Sequence, residues 1–284
     1  MTDDLFGLKG KTAVITGGGG ALGGAMALAL AERGASVALL DVRESAAVKA
    51  ADRVAAAGGR ALGVACDVVD EKSLAAAAGR VLGEYGRVDI LVNGAGGNAP
   101  EATTSKEATG PADLAAKAGG ARTFFDLDVA AVRSVVDMNF LGTFLACRTF
   151  GREMAARGGG AIVNISSMSA LRPLTKVPAY SAAKAGVANL TQWLATHLAP
   201  LHIRVNAIAP GFFLTDQNRF LLTDERTGGL TARGEAVVAH TPMGRFGTGR
   251  DLAGTLVWLV SDASSFVTGA VIPVDGGFSA YAGV

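Results

Sequence analysis

The chain has 284 residues, enough for one large domain or two small ones. Half of its residues are hydrophobic, 18% are charged and the net charge is +1, so no basic block is available to neutralise nucleic-acid phosphates. The start MTDDLFGLKGK contains acidic residues and no apolar core of a secretory signal. We therefore expect a cytoplasmic protein with a sizeable core and with neither a nucleic-acid nor a membrane partner.

Neither the cysteines nor the histidines have the spacing of metal ligands. Cys66 and Cys147 do not form a C-x-x-C pair, and we expect both to be buried free thiols in a reducing compartment. His197, His202 and His240 lack such spacing as well. The sequence therefore predicts no metal site.

Apolar runs alternate with helix-forming segments along most of the chain. We predict strands over 12–15, 36–40, 61–65, 88–92, 161–165, 203–208 and 270–275, with helices over 21–33, 44–57, 71–85, 128–157, 178–198 and 251–260. The strands are continuously apolar, which is typical of a parallel sheet covered by helices on both faces. The fold class predicted is α/β, a Rossmann-type doubly wound sheet of seven parallel strands, in a single domain covering 1–284. The uncharged stretch 12–31 contains six glycines, so it is better explained as strand, loop and helix than as a membrane span.

Two segments interrupt this alternation. Residues 98–127 form a long connection rich in Ala, Thr and Gly, in which PADLAAKA is a candidate short helix. Long ordered connections in compact domains are usually functional, so we predict a lid insertion here. Residues 212–250 are polar and glycine-containing, and we predict a substrate flap with one or two helices.

A glycine cluster follows the first predicted strand. Gly18, Gly20 and Gly23 match G-x-G-x-x-G between a strand and a helix, where glycines let the backbone approach a pyrophosphate at the helix N-terminus. Asp41 ends the next strand, where a carboxylate can accept hydrogen bonds from both ribose hydroxyls and repel a 2′-phosphate. The pattern predicts NAD as the preferred cofactor, and Arg43, two residues later, leaves NADP as an alternative.

The strongest chemical signal is Tyr180-Ser-Ala-Ala-Lys184. Side chains four residues apart share one helix face, and a fixed ammonium near a phenol lowers the phenol pKa from its usual value of about 10. Ser167 ends the fifth strand and can hold the oxygen that the phenol protonates or deprotonates. Taken alone, the pair also fits a tyrosine packed over a solvated lysine stem on a surface helix.

Together these motifs resemble those of the short-chain dehydrogenase/reductase family, from about residue 11 to residue 277. Thr16-Gly17 with the glycines after it resembles the T-G-x-x-x-G-x-G loop, although Ala21 stands where that family usually has glycine. The stretch 93–96 resembles N-N-A-G, with Gly94 in place of the second Asn. Pro210 and Gly211, with Thr215, resemble the segment that holds the nicotinamide. Asn139, Ser167, Tyr180 and Lys184 match the catalytic tetrad of the family.

The resemblance implies hydride transfer between a nicotinamide cofactor and a secondary alcohol or ketone. Tyr180 would be the acid/base, Lys184 would lower its pKa and hold the nicotinamide ribose, Ser167 would orient the carbonyl, and Asn139 would anchor a water in the proton path. A homotetramer is also implied. The expected cofactor contacts are Gly17, Gly19, Gly20, Leu22, Asp41, Asp67, Val68, Asn93, Ala95, Gly96, Tyr180, Lys184, Pro210, Gly211, Phe213 and Thr215.

Several segments, among them ISSMSALRPLTKVPAYSAAKAG and VIPVDGGFSAYAGV, are similar to the D-mannonate oxidoreductase (fructuronate reductase) branch of that family. That branch interconverts a keto and a hydroxy hexuronic acid, so a small sugar acid is the expected substrate. A broad polyol, sugar or gluconate-type dehydrogenase is the alternative, and a non-catalytic dinucleotide-binding protein is an alternative of another class. The expected substrate contacts are Ser167, Tyr180, Asn98, Arg172, Lys176 and Arg219, with Arg172 the first choice for the carboxylate.

Overall fold

A computed structural model describes residues 4–115, 120–215, 218–224 and 226–283. Seven strands within these residues form one sheet in the order β3-β2-β1-β4-β5-β6-β7, and every neighbouring pair is parallel. The predicted Rossmann-type doubly wound sheet is thereby confirmed. The strands are β1 Thr12–Thr16, β2 Ser36–Asp41, β3 Arg60–Ala65, β4 Ile90–Asn93, β5 Gly160–Ile165, β6 Ile203–Pro210 and β7 Val271–Val274.

Helices lie on both faces of the sheet and connect the strands. Their bounds agree with the predicted segments to within a few residues, except at the long helix after residue 127. The helices are α1 Ala21–Glu32, α2 Glu44–Ala56, α3 Glu71–Tyr85, α4 Pro111–Ala115, α5 Val129–Val136, α6 Gly142–Ala156, α7 Pro178–Leu198, α8 Arg219–Leu222, α9 Ala232–Ala239 and α10 Gly249–Val260.

Both faces of the sheet are buried, which explains why the strands are continuously apolar. Successive side chains of a strand point to opposite faces, so Ile15 belongs to the core under α1 and α10, whereas Val14 belongs to the core under α3, α6 and α7. Phe150 is fully buried in the second core, together with Met154. Each layer of helices therefore has its own apolar surface on the sheet.

The predicted helix over 128–157 is interrupted at its middle. A π-helical turn, Asp137–Leu141, lies between α5 and α6 and contains Asn139. Such turns are uncommon and frequently occur at functional sites. The continuous stretch Val129–Ala156 is long and apolar enough to cross a membrane by length and composition. One third of its most apolar 18-residue window is buried, and Phe150 of this stretch belongs to the core on the sheet.

The two interrupting segments have their own short elements. The connection 98–127 contains α4 and the 3₁₀ turns Pro100–Ala102 and Phe124–Asp126. The last three residues of the candidate helix PADLAAKA lie outside the described residues. The N–H of Thr104 donates to the carbonyl of Lys176 over 2.9 Å. The segment 212–250 contains α8 and α9. The connection 98–127 thus contacts the loop that precedes Tyr180, and the roles of the two segments as lid and flap stay predictions.

Candidate active site

A cleft of about 1350 Å³ runs along the carboxyl ends of the strands. β1 lies between β2 and β4 in the sheet, so the strand order reverses direction at β1. The cleft lies at this switch point, which is the usual ligand site of open parallel sheets. All sixteen predicted cofactor contacts except Asn93 line this cleft. Asn93 is buried beneath it and donates to the side chains of Cys147 (3.1 Å) and Asn164 (2.8 Å). Its side chain links β4 to β5, so Asn93 has a structural role within the sheet.

The phosphate end of the cleft is built by backbone. Gly20 precedes α1 without a side-chain cap, and the first turn of the helix contains no acidic residue. Its amides therefore remain available to an anion. Gly17 has a φ of +66°, and a Cβ there would come within 2.9 Å of the Ala95 backbone. The glycine loop and the start of α1 fit the pyrophosphate of a dinucleotide.

The two departures from the family motifs are accommodated locally. Ala21 is the first residue of α1, so its methyl group stands on ordinary helical backbone. A Cβ at Gly94 would lie 2.9 Å from the carbonyl oxygen of Thr16. In this chain the β4 loop therefore approaches β1 closely at Gly94 and leaves little room for a side chain.

Asp41 lines the cleft at the end of β2 and is buried. Its Oδ1 accepts from the N–H of Arg43 over 3.0 Å, and its Oδ2 would lie 2.9 Å from a Cβ on Gly19. The carboxylate is thus held between the glycine loop and the start of α2. The guanidinium of Arg43 lies 3.5 Å from Asp41 but is mostly exposed, so this ion pair is weak.

Sequence reasoning missed three cations of the cleft, namely Arg133 of α5 and the pair Lys49 and Arg53 of α2. Lys49 and Arg53 line the cleft beside Ala46, on the same face of α2. A Cβ on Gly24 would come within 2.8 Å of Nη2 of Arg53, so this guanidinium lies against α1. Residues 46, 49 and 53 are three and four positions apart and share one helix face shortly after Asp41. This spacing could have identified Lys49 and Arg53 from the sequence. These side chains add positive charge to the cofactor side of the cleft.

Lys184 and Tyr180 project from α7 into the cleft. Lys184 is 4% exposed, its Nζ donates to the carbonyl of Ile165 over 2.8 Å, and it lies 5.7 Å from the centroid of the Tyr180 ring. Ser167 lies just after β5, where its Oγ accepts from the N–H of Ser169 over 3.1 Å. Ser167, Tyr180 and Lys184 therefore line one region of the cleft, between the carboxyl end of β5 and the first two turns of α7.

Asn139 lies behind this region and is completely buried. Its Oδ1 accepts from the N–H of Gly97 over 3.2 Å, and its Nδ2 donates to the carbonyls of Gly97 (2.7 Å) and Val135 (2.8 Å). A Cβ on Gly96 would lie 2.5 Å from Oδ1 of Asn139 and 3.2 Å from Nζ of Lys184. The side chain of Asn139 is thus engaged in fixing the loop after β4, and its role toward a water stays a prediction.

The protonation properties of the pair differ from the prediction. Burial raises the pKa of the Tyr180 phenol, and the neighbouring Ser167 hydroxyl lowers it by less. Burial also lowers the pKa of Lys184 to about 8. The expectation that Lys184 brings the pKa of Tyr180 below its ordinary value is therefore wrong for the chain by itself. Desolvation of the buried phenol outweighs its hydrogen bond with Ser167.

Four of the side chains predicted to bind the substrate, three cations and one amide, do not line the cleft. Arg172 is exposed, and its Nη1 donates to the carbonyl of Tyr281 over 3.3 Å. Lys176 has a φ of +72° and contacts the lid segment through its backbone. Asn98 donates to Thr103 over 2.8 Å, and Arg219 begins α8 on the exposed side of the flap. Met168, Leu174 and Asn218, which were not predicted, line the substrate half of the cleft.

The cysteines are free and buried, as predicted. Burial raises the pKa of Cys66 to about 11 and that of Cys147 to about 12, so both thiols are protonated at neutral pH. In the described part of the chain, no group of three or more His, Cys, Asp or Glu side chains is arranged to hold a metal ion.

A parallel sheet with a glycine loop, a ribose acid and a Tyr-Lys pair at its carboxyl edge defines a class: the nicotinamide-dependent oxidoreductases of Rossmann type. Residues 19–279 match a family model described as enoyl-(acyl carrier protein) reductase. The chain belongs to the short-chain dehydrogenase/reductase family and is an oxidoreductase acting on CH–OH groups.

Relatives over nearly the whole chain support this assignment. The chain is 50% identical over 278 residues to an uncharacterised oxidoreductase, UxuB, of Bacillus subtilis, covering 98% of both chains. It is 40% identical over 270 residues to cis-4-hydroxycyclohexanecarboxylate dehydrogenase of Sinomonas cyclohexanicum, covering 95% of this chain and 97% of that one. A Haemophilus influenzae crystal structure with bound NAD, provisionally named a D-mannonate oxidoreductase, is 44% identical, with a TM-score of 0.91 over 98% of both chains.

The contact of Gly96 with Asn139 and Lys184 generates a prediction. Gly96→Ala should lower the thermal stability of the cofactor-free protein, because a methyl group 2.5 Å from Oδ1 forces Asn139 to move. The free energy of unfolding should fall by about 1–3 kcal/mol, the range for overpacking a well-packed site. Denaturant unfolding measures the loss.

Gly97→Ala is the matched control, since a Cβ there meets only Sδ of Met138, at 3.7 Å. This variant should unfold close to the wild type. Equal losses in the two variants would contradict the assigned packing.

Proposed function

We propose that this enzyme interconverts D-fructuronate and D-mannonate, a keto and a hydroxy hexuronic acid, with NAD(H). The observation that carries the proposal is the full-length likeness to the NAD-bound Haemophilus influenzae structure provisionally named a D-mannonate oxidoreductase. The segments on both sides of the Tyr-Lys pair, which are similar to that branch of the family, add to it. The buried Asp41 beside Gly19 supports NAD as the preferred cofactor.

In the direction of reduction, Tyr180 gives its proton to the alkoxide that forms from the substrate carbonyl. Ser167 donates a hydrogen bond to the same oxygen and fixes its position. Lys184 lies within 5.7 Å of the Tyr180 ring centroid and favours the ionised phenol during oxidation. When bound, the nicotinamide supplies or accepts the hydride. The protein itself positions the reacting carbon and transfers one proton.

The proposal is tested by NADH oxidation with a panel of ketones. Fructuronate should be reduced with the highest kcat/KM, and tagaturonate, fructose and sorbose should be poorer substrates. A higher kcat/KM for fructose or sorbose would favour a broad polyol or sugar dehydrogenase, and gluconate oxidation would favour a gluconate-type enzyme. NADH binding without turnover on any of these would favour a non-catalytic dinucleotide-binding protein.

A hydroxylated alicyclic acid belongs in the same panel. The Sinomonas relative acts, by its name, on cis-4-hydroxycyclohexanecarboxylate, which combines a secondary alcohol with a carboxylate. Oxidation of this compound faster than of mannonate would retain the carboxylate in the substrate but exclude the hexuronate assignment.

The proposed proton transfer predicts opposite pH dependences for the two directions. Oxidation requires an ionised Tyr180, so its rate should rise as pH rises through the apparent pKa of the site. Reduction requires the protonated phenol, so its rate should fall through the same pKa. Lys184 and Tyr180 are close enough for their charges to interact, so the apparent pKa of the profile belongs to the pair. Initial rates from pH 6 to 11 measure both profiles.

Tyr180→Phe is the control for this profile, because it removes only the hydroxyl. We expect kcat to fall by about 10²–10⁴-fold in both directions while the Kd of NADH changes little. Rates that rise together with pH in both directions, or a Phe variant with more than about a tenth of the wild-type kcat, would assign the proton to another group.

Asp41→Ala should relax the preference for NAD over NADP. The substitution removes a carboxylate that repels a 2′-phosphate, and it leaves the cations Arg43, Lys49 and Arg53 on the same rim of the cleft. The ratio of kcat/KM for the two cofactors should shift toward NADP by at least about tenfold, since removing a charge contact is worth about 1.4 kcal/mol or more. An unchanged ratio would show that Asp41 does not face the ribose.

Arg172→Leu should raise the KM of the acid substrate while leaving a neutral ketose almost unchanged. In this structure Arg172 lies outside the cleft and donates through Nη1 to the carbonyl of Tyr281, and its other donors can bind a carboxylate if the loop before Tyr180 closes over the substrate. A lost charge-assisted bond of about 1.5–3 kcal/mol corresponds to a roughly tenfold to hundredfold loss in kcat/KM. Steady-state kinetics with fructuronate and fructose measure the difference.

Arg152→Leu is the matched control, because it removes an exposed cation from α6 that does not line the cleft. It should leave both substrates near wild type. A loss in Arg172→Leu that is equal for the acid and the neutral substrate would show that Arg172 supports the loop and does not bind the carboxylate.

A further inference from the structure

The C-terminal segment, residues 276–283, contacts three separate parts of the chain around the substrate half of the cleft. We propose that this segment is a wall of the substrate site that positions Phe212 and Arg172. For Phe212 the inference is independent of the substrate identity; for Arg172 it rests on the proposed function.

The first contact is aromatic. Phe212, which lines the cleft directly after the nicotinamide segment 210–211, meets the ring of Phe278 edge to face, with centroids 5.3 Å apart and planes at 68°. Such pairs contribute beyond the area that they bury. Phe212 lies only partly buried at the cleft, so Phe278 restrains its ring from behind.

The second contact reaches the catalytic loop and the flap together. The carbonyl of Tyr281 accepts from Nη1 of Arg172, in the loop between Ser167 and Tyr180. The ring of Tyr281 lies edge to face with His240 at the end of α9, with centroids 6.1 Å apart. One residue of the C-terminal segment thereby joins two elements that flank the substrate half of the cleft.

The start of the segment is fixed firmly enough to transmit these contacts. Asp275 accepts from the N–H groups of Gly277 and Ser279, each over 2.9 Å, and the carbonyl of Gly276 accepts from the N–H of Met243 over 3.0 Å. Gly276 and Gly277 have φ values of +64° and +90°. Both glycines lie against residues 241–243 of the flap, where a Cβ would come within 3.1 Å of a side chain. The turn therefore directs the segment back over the flap.

The position of the segment predicts a specific kinetic effect. Phe278 does not itself line the cleft and acts through Phe212, so its loss should weaken substrate binding while leaving cofactor binding intact. Phe278→Ala should raise KM by roughly threefold to tenfold, the range expected for an aromatic pair, with kcat within about twofold and an unchanged Kd for NADH.

Phe266→Ala is the matched control. Phe266 is fully exposed, so its truncation removes the same number of atoms without touching the flap or the catalytic loop. Amide hydrogen exchange of the two variants supplies a readout that requires no substrate. Phe278→Ala should increase exchange in 168–177 and 232–244 and leave 17–24 unchanged, while Phe266→Ala should change none of these. Identical KM values and exchange patterns in the two variants would overturn the proposal.

A chain ending at Ser279 tests the link to Arg172, because it retains Phe278 and removes Tyr281. Its KM for fructuronate should rise by a larger factor than its KM for fructose, and exchange should increase in 168–177. If the enzyme turns over no hexuronate, the proposed function fails, but the exchange difference still decides the role of the segment. Unchanged exchange in 168–177 would remove Tyr281 from it.

Discussion

The active site depends on the absence of a side chain at Gly96. At this point the loop after β4 passes between the amide of Asn139 and the ammonium of Lys184, both of which would contact a Cβ. Asn139 then holds the next residue, Gly97, through both its N–H and its carbonyl. Asn139 lies in the π-helical turn, which shifts the register of the helix and so determines where its side chain meets the loop. The loop, the helix and the Tyr-Lys pair are therefore fixed relative to one another by one close backbone passage.

Burial determines the electrostatics at the same place. Lys184 is almost fully buried, and its ammonium donates a hydrogen bond to the carbonyl oxygen of Ile165. A low dielectric disfavours the ammonium of Lys184 and also the phenolate of Tyr180, which is why burial lowers the pKa of Lys184 and raises that of Tyr180. Each charge would then interact strongly with the other, because little solvent screens them. The pair is thus sensitive to any further charge brought into the cleft.

The cofactor half and the substrate half of the cleft are built differently. The cofactor half consists of strand ends, a glycine loop and the start of α1, which the core of the sheet holds in place. The substrate half consists of the loop before Tyr180, the flap and the C-terminal segment, joined by a few contacts such as that between Phe212 and Phe278. A family that keeps one chemistry can change substrates by changing the second half, since the sheet does not constrain it.

The sequence by itself determined the sheet, the glycine loop, Asp41 and the Tyr-Lys spacing. Those features are local: apolar runs give strands, glycines permit a close backbone turn, and four residues make one helical turn. Only the tertiary structure decided that Asn93 lies beneath the cleft, that Asn139 occupies a π-helical turn, and that Lys49 and Arg53 border the cleft. It also decided that Arg172 contacts the C-terminal segment, 109 residues away in sequence. The direction of a long side chain and the pKa of a buried group depend on neighbours distant in the chain, and local sequence patterns do not specify those neighbours.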